Sequence, residues 1–322
     1  MSRIIQHLSL FLQKRHTPGK AILLGLSGGV DSMSMLYALE SLMVARNIHL
    51  IAVHVDHRWR KESWDEAQKI KKNSEAMGIE CRVVSLEEDP RRDESIARRG
   101  RLEIFKRIYL ESDAQALILA HQADDLAETV LKRVFEGGNL GSLGGMSLCS
   151  FIEEMVIWRP FLSISKKELF AFCEERRISY IDDYTNRDVR YLRARMRQDL
   201  LPVLEAKFGK NMAENLSNLS ASSYELDDYM NLRTQEVWKK IERKEEEMKI
   251  PLYALHPFEG QWILRKAASS LGIVLGVQHL RHIIHLSQSG ACKKYFFKDG
   301  WNFLIHKGDV IITRDNNTIC KK

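Results

Sequence analysis

Cysteine is sparse in this chain, and its pattern is unhelpful to cross-linking. Cys81, Cys149, Cys173, Cys292 and Cys320 are odd in number, scattered, and nowhere form Cys-x-x-Cys. That spacing argues against a disulfide framework and an ordinary zinc site, and suggests a reducing, cytoplasmic setting. No apolar stretch approaches the ~20 residues that a membrane-spanning helix needs, so no membrane is expected among the partners. The opening segment, 1–16, reads as an amphipathic helix through Ile4, Ile5, Leu8, Phe11 and Leu12. Nothing after it resembles a signal-peptide cleavage region. Internal repeats and low-complexity segments are absent. The common phosphate-binding signature GxxxxGK[ST] is missing too: Gly19-Lys20 is followed by Ala21 and precedes an apolar run instead of following one. Charge of one sign is not strongly in excess, with 49 Lys and Arg against 43 acids, a net +6. This balance is compatible with an RNA partner and does not by itself require one.

The most informative residues are Ser27-Gly28-Gly29-Val30-Asp31-Ser32, directly after the apolar run 21–26. A buried strand ending in hydroxyl-Gly-Gly-x-acid-hydroxyl and opening an apolar helix makes a nest of backbone N–H groups. The nest lies at the positive end of a helix dipole and suits a polyphosphate. The glycines admit close main-chain approach, and both serines add hydroxyl donors. Asp31 is repulsive beside phosphates unless Mg²⁺ lies between them, so it argues for a metal–nucleotide complex. On the blander view, the same residues form a Gly-rich turn with Ser32 as N-cap.

At 322 residues, 44% hydrophobic and 29% charged, the chain has room for two domains and ordinary globular composition. Strand-like runs at 21–26, 49–55, 81–86, 116–120 and 155–158 alternate with helical periods at 32–45, 62–77, 95–110 and 125–135. This pattern predicts an α/β fold, a parallel sheet with helices on both faces and its ligand beyond the carboxyl ends of the strands. Ser165-Lys166-Lys167-Glu168 has capping-box form and opens a further helix. A basic helix over 190–207 follows. Beyond Gly209, helical stretches are expected at 211–249, 260–271 and 277–288. The mixed charges of 239–249 read as a solvated helix face. Strands are expected at 293–297, 303–306 and 310–314. The expected domains are therefore 1–208 and a smaller helical then β-rich 209–322.

Three further groups carry chemistry. Asp125 and Glu128, in His121-Gln122-Ala123-Asp124-Asp125-Leu126-Ala127-Glu128-Thr129, lie one helical turn apart after the fourth strand. One acid can hold Mg²⁺ or a substrate cation while the other orients it; alone, the two would also satisfy a helix dipole. Arg98 and Arg101 have a spacing that can neutralise phosphate charge, or else form a solvated basic face. His54-Val55-Asp56-His57 with Arg58, Trp59 and Arg60 is a poor metal set, because alternate strand positions face opposite ways. Base or RNA contact by His57, Arg58 and Trp59 fits better.

The hexapeptide SGGVDS resembles the PP-loop of ATP pyrophosphatases. In one order, SGGVDS, HVDH, AR-x-x-R, HQADDLAET, the glycine-rich 137–146, Arg159-Pro160-Phe161-Leu162, Asp182-Asp183-Tyr184-Thr185-Asn186 and the basic cluster Arg193–Arg197 resemble the tRNA(Ile)-lysidine synthetase family. The family's usual Arg-Asn-x-Ile-Arg is Arg193-Ala194-Arg195-Met196-Arg197 here, and its common Arg-Tyr is Arg101-Leu102.

The resemblance implies a Rossmann-like PP-loop domain and a C-terminal tRNA-binding domain. It implies ATP-dependent ligation of free L-lysine to C2 of the wobble cytidine of tRNA(Ile) with anticodon CAU, through an adenylated cytidine. ATP-binding residues would be Ser27, Gly28, Gly29, Val30, Asp31 and Ser32. The reaction would rest on Asp31, Arg101 and Asp125, with Mg²⁺ held by Asp31 and Asp125. Glu128 would bind lysine; His57, Arg58, Arg190, Arg193, Arg195 and Arg197 would bind tRNA. The loop 137–146 is expected to flex over the site, and a homodimer is left open. The rivals are another PP-loop tRNA-modifying enzyme such as a thiolase, a small-molecule amidotransferase or NAD synthetase, and a non-catalytic RNA-binding module. A thiolase would ordinarily need a persulfide cysteine or an iron–sulfur Cys-x-x-Cys near these motifs.

Overall fold

A computed structural model of the chain describes residues 2–59, 62–87, 93–181, 192–245, 247–289, 292–298 and 300–314. The opening amphipathic segment is helix α1 (Arg3–Gln13), whose residues Ile4, Ile5, Leu8, Phe11 and Leu12 are all buried. Strands β1 (Ala21–Gly25), β2 (His49–Asp56), β3 (Glu80–Ser85), β4 (Ala116–Leu119), β5 (Cys149–Ile152) and β6 (Met155–Trp158) form one sheet in the order β3-β2-β1-β4-β6-β5. All neighbours are parallel except β5, which pairs antiparallel with β6 at the edge.

Side chains alternate across β1, and this builds two cores. Ile22 and Leu24 pack with Leu8, Leu36 and Phe172, on α1, α2 (Val30–Glu40) and α7 (Lys166–Arg176). Leu23 packs on the other face with Val53, Leu117 and Phe105 of α5 (Glu94–Glu111). Helices therefore cover both faces, as a buried parallel sheet requires. The strand order runs outward in both directions from the β1–β4 pair. The crevice at their carboxyl ends is the switch point where such sheets bind ligands.

The helical period expected at 32–45 is interrupted. α2 stops at Glu40, and α3 (Met43–Arg46) ends on Asn47 in the left-handed region (φ 48°). α4 (Ser63–Ala76) and α6 (Ala123–Phe135) complete the alternation. Strand β5 has no counterpart in the sequence reading. It is a half-exposed edge, with Cys149 and Phe151 facing out, so it lacks an apolar stripe.

The described part of the basic helix is α8 (Leu192–Arg195), a π-helical turn over Met196–Leu200 and α9 (Leu201–Phe208), closed by Gly209 at φ 61°. Helix α10 (Met212–Lys239) is shorter than expected. The expected helix through residue 249 is instead a hairpin, β7 (Glu242–Lys244) and β8 (Glu247–Pro251). Met248 and Ile250 are buried between exposed or half-exposed neighbours, and that period of two decides for strand.

By backbone proximity the chain forms two compact units, residues 1–138 with 142–221, and 139–141 with 222–322. In the second, β7, β8, β9 (Cys292–Lys298), β10 (Trp301–His306) and β11 (Asp309–Arg314) make an antiparallel sheet ordered β7-β8-β11-β10-β9. Its core joins Ile250, Phe303, Ile305, Val310 and Ile312 to Ile263 and Leu264 of α11 (Pro257–Ser270) and Ile283 of α12 (Val277–Gln288).

Candidate active site

The loop after β1 is shaped by glycine. Gly28 has φ +86°, and a Cβ there would lie 2.6 Å from Ile70 Cδ1. Its carbonyl accepts from the Ile181 amide at 2.9 Å. The Ser32 hydroxyl accepts from the Gly28 amide (3.0 Å), donates to the Gly29 carbonyl (3.1 Å) and lies 3.1 Å from the Ser27 hydroxyl. Ser32 is thus an internal tie of the loop, not the N-cap. The N-cap is Gly29, with no side-chain capping bond, so no side chain caps the first-turn amides of α2.

Asp31 sits in that first turn. Its carboxyl is raised to about 6, mostly by burial, with Lys166 opposing and Asp125 adding to the rise. Asp31 Oδ1 is buried without a hydrogen-bond partner, and Oδ2 lies 4.0 Å from Lys166 Nζ. A buried, unshared carboxylate oxygen beside a glycine loop at a helix N-terminus fits Mg²⁺, which is commonly held by one or two carboxylates plus phosphates and water. Among the described residues, no group of three or more His, Cys, Asp or Glu side chains gathers to hold a metal alone.

The β4–α6 turn supplies the other acids. The Gln122 side chain accepts from the Asp124 amide (2.6 Å), while Asp125 Oδ2 accepts from the Gln122 amide (3.1 Å). Asp125 is therefore a capping residue as well as a charge in the cleft. Its Oδ1 takes Arg197 Nη2 at 3.2 Å, and Glu128 Oε1 takes Arg197 Nε at 2.7 Å. Glu128 is 1% exposed, and its Oε2 has no partner. Burial raises the Glu128 and Asp124 carboxyls, and Arg197 pulls both down. His121 is pushed down to about 4, chiefly by burial, with Asp125 opposing and the charges of Arg159, Arg193 and Arg101 adding to the fall.

Residues grouped by sequence part company in space. Arg197, expected beside tRNA with its neighbours, donates to Glu128 and Asp125. Arg193 and Arg195 are exposed, and Arg190 lies outside the described residues. Arg101 is half-buried and acts electrostatically on His121, whereas Arg98 is exposed. In HVDH, the His54 ring meets the Leu26 carbonyl at 2.8 Å, and Asp56 accepts from the Arg58 amide and the Ser85 hydroxyl. His54 and Asp56 thus build the turn, leaving Arg58 exposed and the His57 ring tilted 5.3 Å from Trp59. The motif 182–186 lies outside the described residues.

The glycine-rich 137–146 contains a packed element, contrary to the loose cover expected. Leu140–Gly144 forms a 3₁₀ turn with Leu143 and Gly144 buried. The Gly144 carbonyl accepts from Ser220 (2.6 Å), and the Ser142 carbonyl accepts from the Arg133 guanidinium. Sequence reasoning also missed Lys166 as part of the site. Its capping box was visible, but nothing local says that the N-terminus of α7 opens beside Asp31.

A mainly parallel sheet with a glycine and hydroxyl loop at its switch point, accompanied by acids on the helix that follows the neighbouring strand, defines a PP-loop protein. The PP-loop domain family matches residues 1–204. The tRNA(Ile)-lysidine synthase of Chlamydia felis is 39% identical over 277 residues, 84% of this chain and 86% of that one. That of Chlamydia trachomatis serovar L2 is 35% identical over 299 residues, 91% and 92% of the two chains. This chain belongs to the tRNA(Ile)-lysidine synthase family. Its fold is also similar to the U34-tRNA thiolase NcsA from Methanococcus maripaludis (TM-score 0.55, 22% identity, 68% of this chain and 76% of that one).

Proposed function

We propose that this protein joins L-lysine to C2 of the wobble cytidine of tRNA(Ile) bearing the CAU anticodon, consuming ATP and releasing AMP and pyrophosphate. The cytosine C2 oxygen is a poor leaving group. It attacks the α-phosphorus of ATP, and pyrophosphate departs. The lysine ε-amine then attacks C2, and the oxygen leaves as part of AMP, with the amine proton lost to the surroundings.

The observation that carries the reading is a pair of unpartnered buried oxygens, Asp31 Oδ1 at the amide-lined loop and Glu128 Oε2 on α6, whose other oxygen is held by Arg197. Ser27 to Ser32 receives the phosphates on backbone N–H groups and hydroxyls. Asp31, with Asp125, would hold Mg²⁺, which supplies Lewis-acid neutralisation of phosphate charge. Arg101 stabilises negative charge on the α-phosphate or the activated base. Glu128 Oε2 accepts from the lysine ammonium, and Arg197 holds Glu128 and Asp125 in place through its two hydrogen bonds. His57, Arg58, Arg190, Arg193 and Arg195 bind tRNA, and so does the C-terminal region, 209–322. The target base must leave its stack to reach the nucleotide. A tRNA substrate of this kind suits a cytoplasmic enzyme.

Incubation with ATP, labelled lysine and tRNA tests the reading. Label in RNA together with AMP and pyrophosphate is expected. Sulfur incorporation would support a thiolase, and RNA binding without turnover would support a binding module; either rejects lysidine synthesis.

A further inference from the structure

The phosphate-binding loop carries no cation of its own: Ser27 to Ser32 contains neither Lys nor Arg. Asp31, Asp124 and Asp125 make the surroundings acidic. Among the described residues, Lys166 and Arg197 are basic groups whose fields reach both Asp31 and Asp124. Arg197 is committed by two hydrogen bonds to Glu128 and Asp125. Lys166 is not so committed. At 4.0 Å from Asp31 Oδ2 its ammonium is an ion pair beyond hydrogen-bond length, with 27% of the side chain exposed.

Its backbone is well anchored. Lys166 is the first residue of α7, whose N-cap Ser165 and Glu168 form a reciprocal capping box. The carbonyl of Ile164 accepts from the Ala123 amide at 2.9 Å, tying the start of α7 to that of α6. The ammonium lies 5.9 Å from the centre of the Phe170 ring. Lysine is a compact point charge on a flexible stem, suited to phosphate oxygens once its carboxylate partner is otherwise neutralised.

Resting on the ATP-dependent reading above, we infer that Lys166 is a further substrate-contacting residue. It leaves Asp31 to grip the outer phosphates of ATP and the pyrophosphate that departs. The bond broken is that between the α-phosphorus and its bridging oxygen. The electron pair leaves with pyrophosphate, and Lys166 neutralises that growing charge without taking part in proton transfer.

Calorimetry of the full chain with inorganic pyrophosphate, and separately with ATP, each with Mg²⁺, tests this on wild type, K166M and K166R. K166M is expected to weaken pyrophosphate binding about tenfold or more, as loss of a charge-assisted bond does, with K166R recovering part of it. The lysine KM and tRNA affinity should hold in K166M, and its thermal unfolding should match wild type. Unchanged pyrophosphate affinity in K166M overturns the inference alone. Equal losses for pyrophosphate, lysine and tRNA overturn it in favour of a structural role. A wild type that binds neither ATP nor pyrophosphate overturns the parent reading with it.

Discussion

Arg197 Nε lies 2.7 Å from Glu128 Oε1, bridging 69 positions of chain to neutralise a carboxylate that is almost wholly buried. Removing the guanidinium leaves that charge without its partner, which is the costly way to break a buried pair. R197M is expected to lower unfolding free energy by about 3 kcal/mol. In a double-mutant cycle with E128Q, the coupling should be about 1 kcal/mol or more. Chemical denaturation of the four proteins measures it, and strictly additive losses would exclude an energetic link.

The exposed arginines should behave differently. R193A and R195A are each expected to reduce the salt slope of tRNA binding by about 1, as a lost phosphate contact does. R197M should leave the slope where it was, because its charge is spent on Glu128 and Asp125. Titrating tRNA affinity against salt for the three variants decides the matter. A slope that falls only in R197M would reverse the assignment.

Asp31 is unshared at Oδ1 and close to the uncapped start of α2. D31N keeps its shape and removes its charge. The variant is expected to form AMP at least about 100-fold more slowly, the scale on which an active-site electrostatic group acts. Its tRNA affinity should stay near wild type. Equal losses in both measurements would mark the loop as a structural turn.

His54 links stability to pH. Burial lowers its folded-state value below the ordinary 6.5, with the Leu26 carbonyl opposing. The unfolded chain keeps the ordinary value, so protons bind it first as pH falls. The stabilisation is complete above pH 6.5 and is lost progressively below it, down towards the folded-state value. Urea unfolding at about pH 7.5 and about pH 5.5 should show a smaller acid loss for H54Q than for wild type. Equal losses would remove His54 from the account.

Much of the first unit was legible along the chain. Residues 21–26 and 49–55 are apolar runs closed by turn residues, and a fully buried parallel strand must look so. SGGVDS announces its loop because the left-handed Gly28 and the tie through Ser32 are local requirements. Other features left little local trace. Strand β5 exposes Cys149 and Phe151, and β7–β8 hides a period of two among like and unlike charges. Arg193, Arg195 and Arg197 share a basic cluster in sequence, yet of the three it is Arg197 that hydrogen-bonds the acids. A run of arginines records charge and not direction.

Sequence by itself determined the strand and helix alternation, the glycine loop after β1 and the family, since each depends on residues close together or on an ordered set of motifs. Tertiary structure alone decided which charges meet: Lys166 with Asp31, and Arg197 with Glu128 and Asp125. The physical reason is that ion pairs depend on distance in space and on burial. Both are set by how β1, β4, α6, α7 and the π-helical turn of residues 196–200 converge, and no local pattern encodes that convergence.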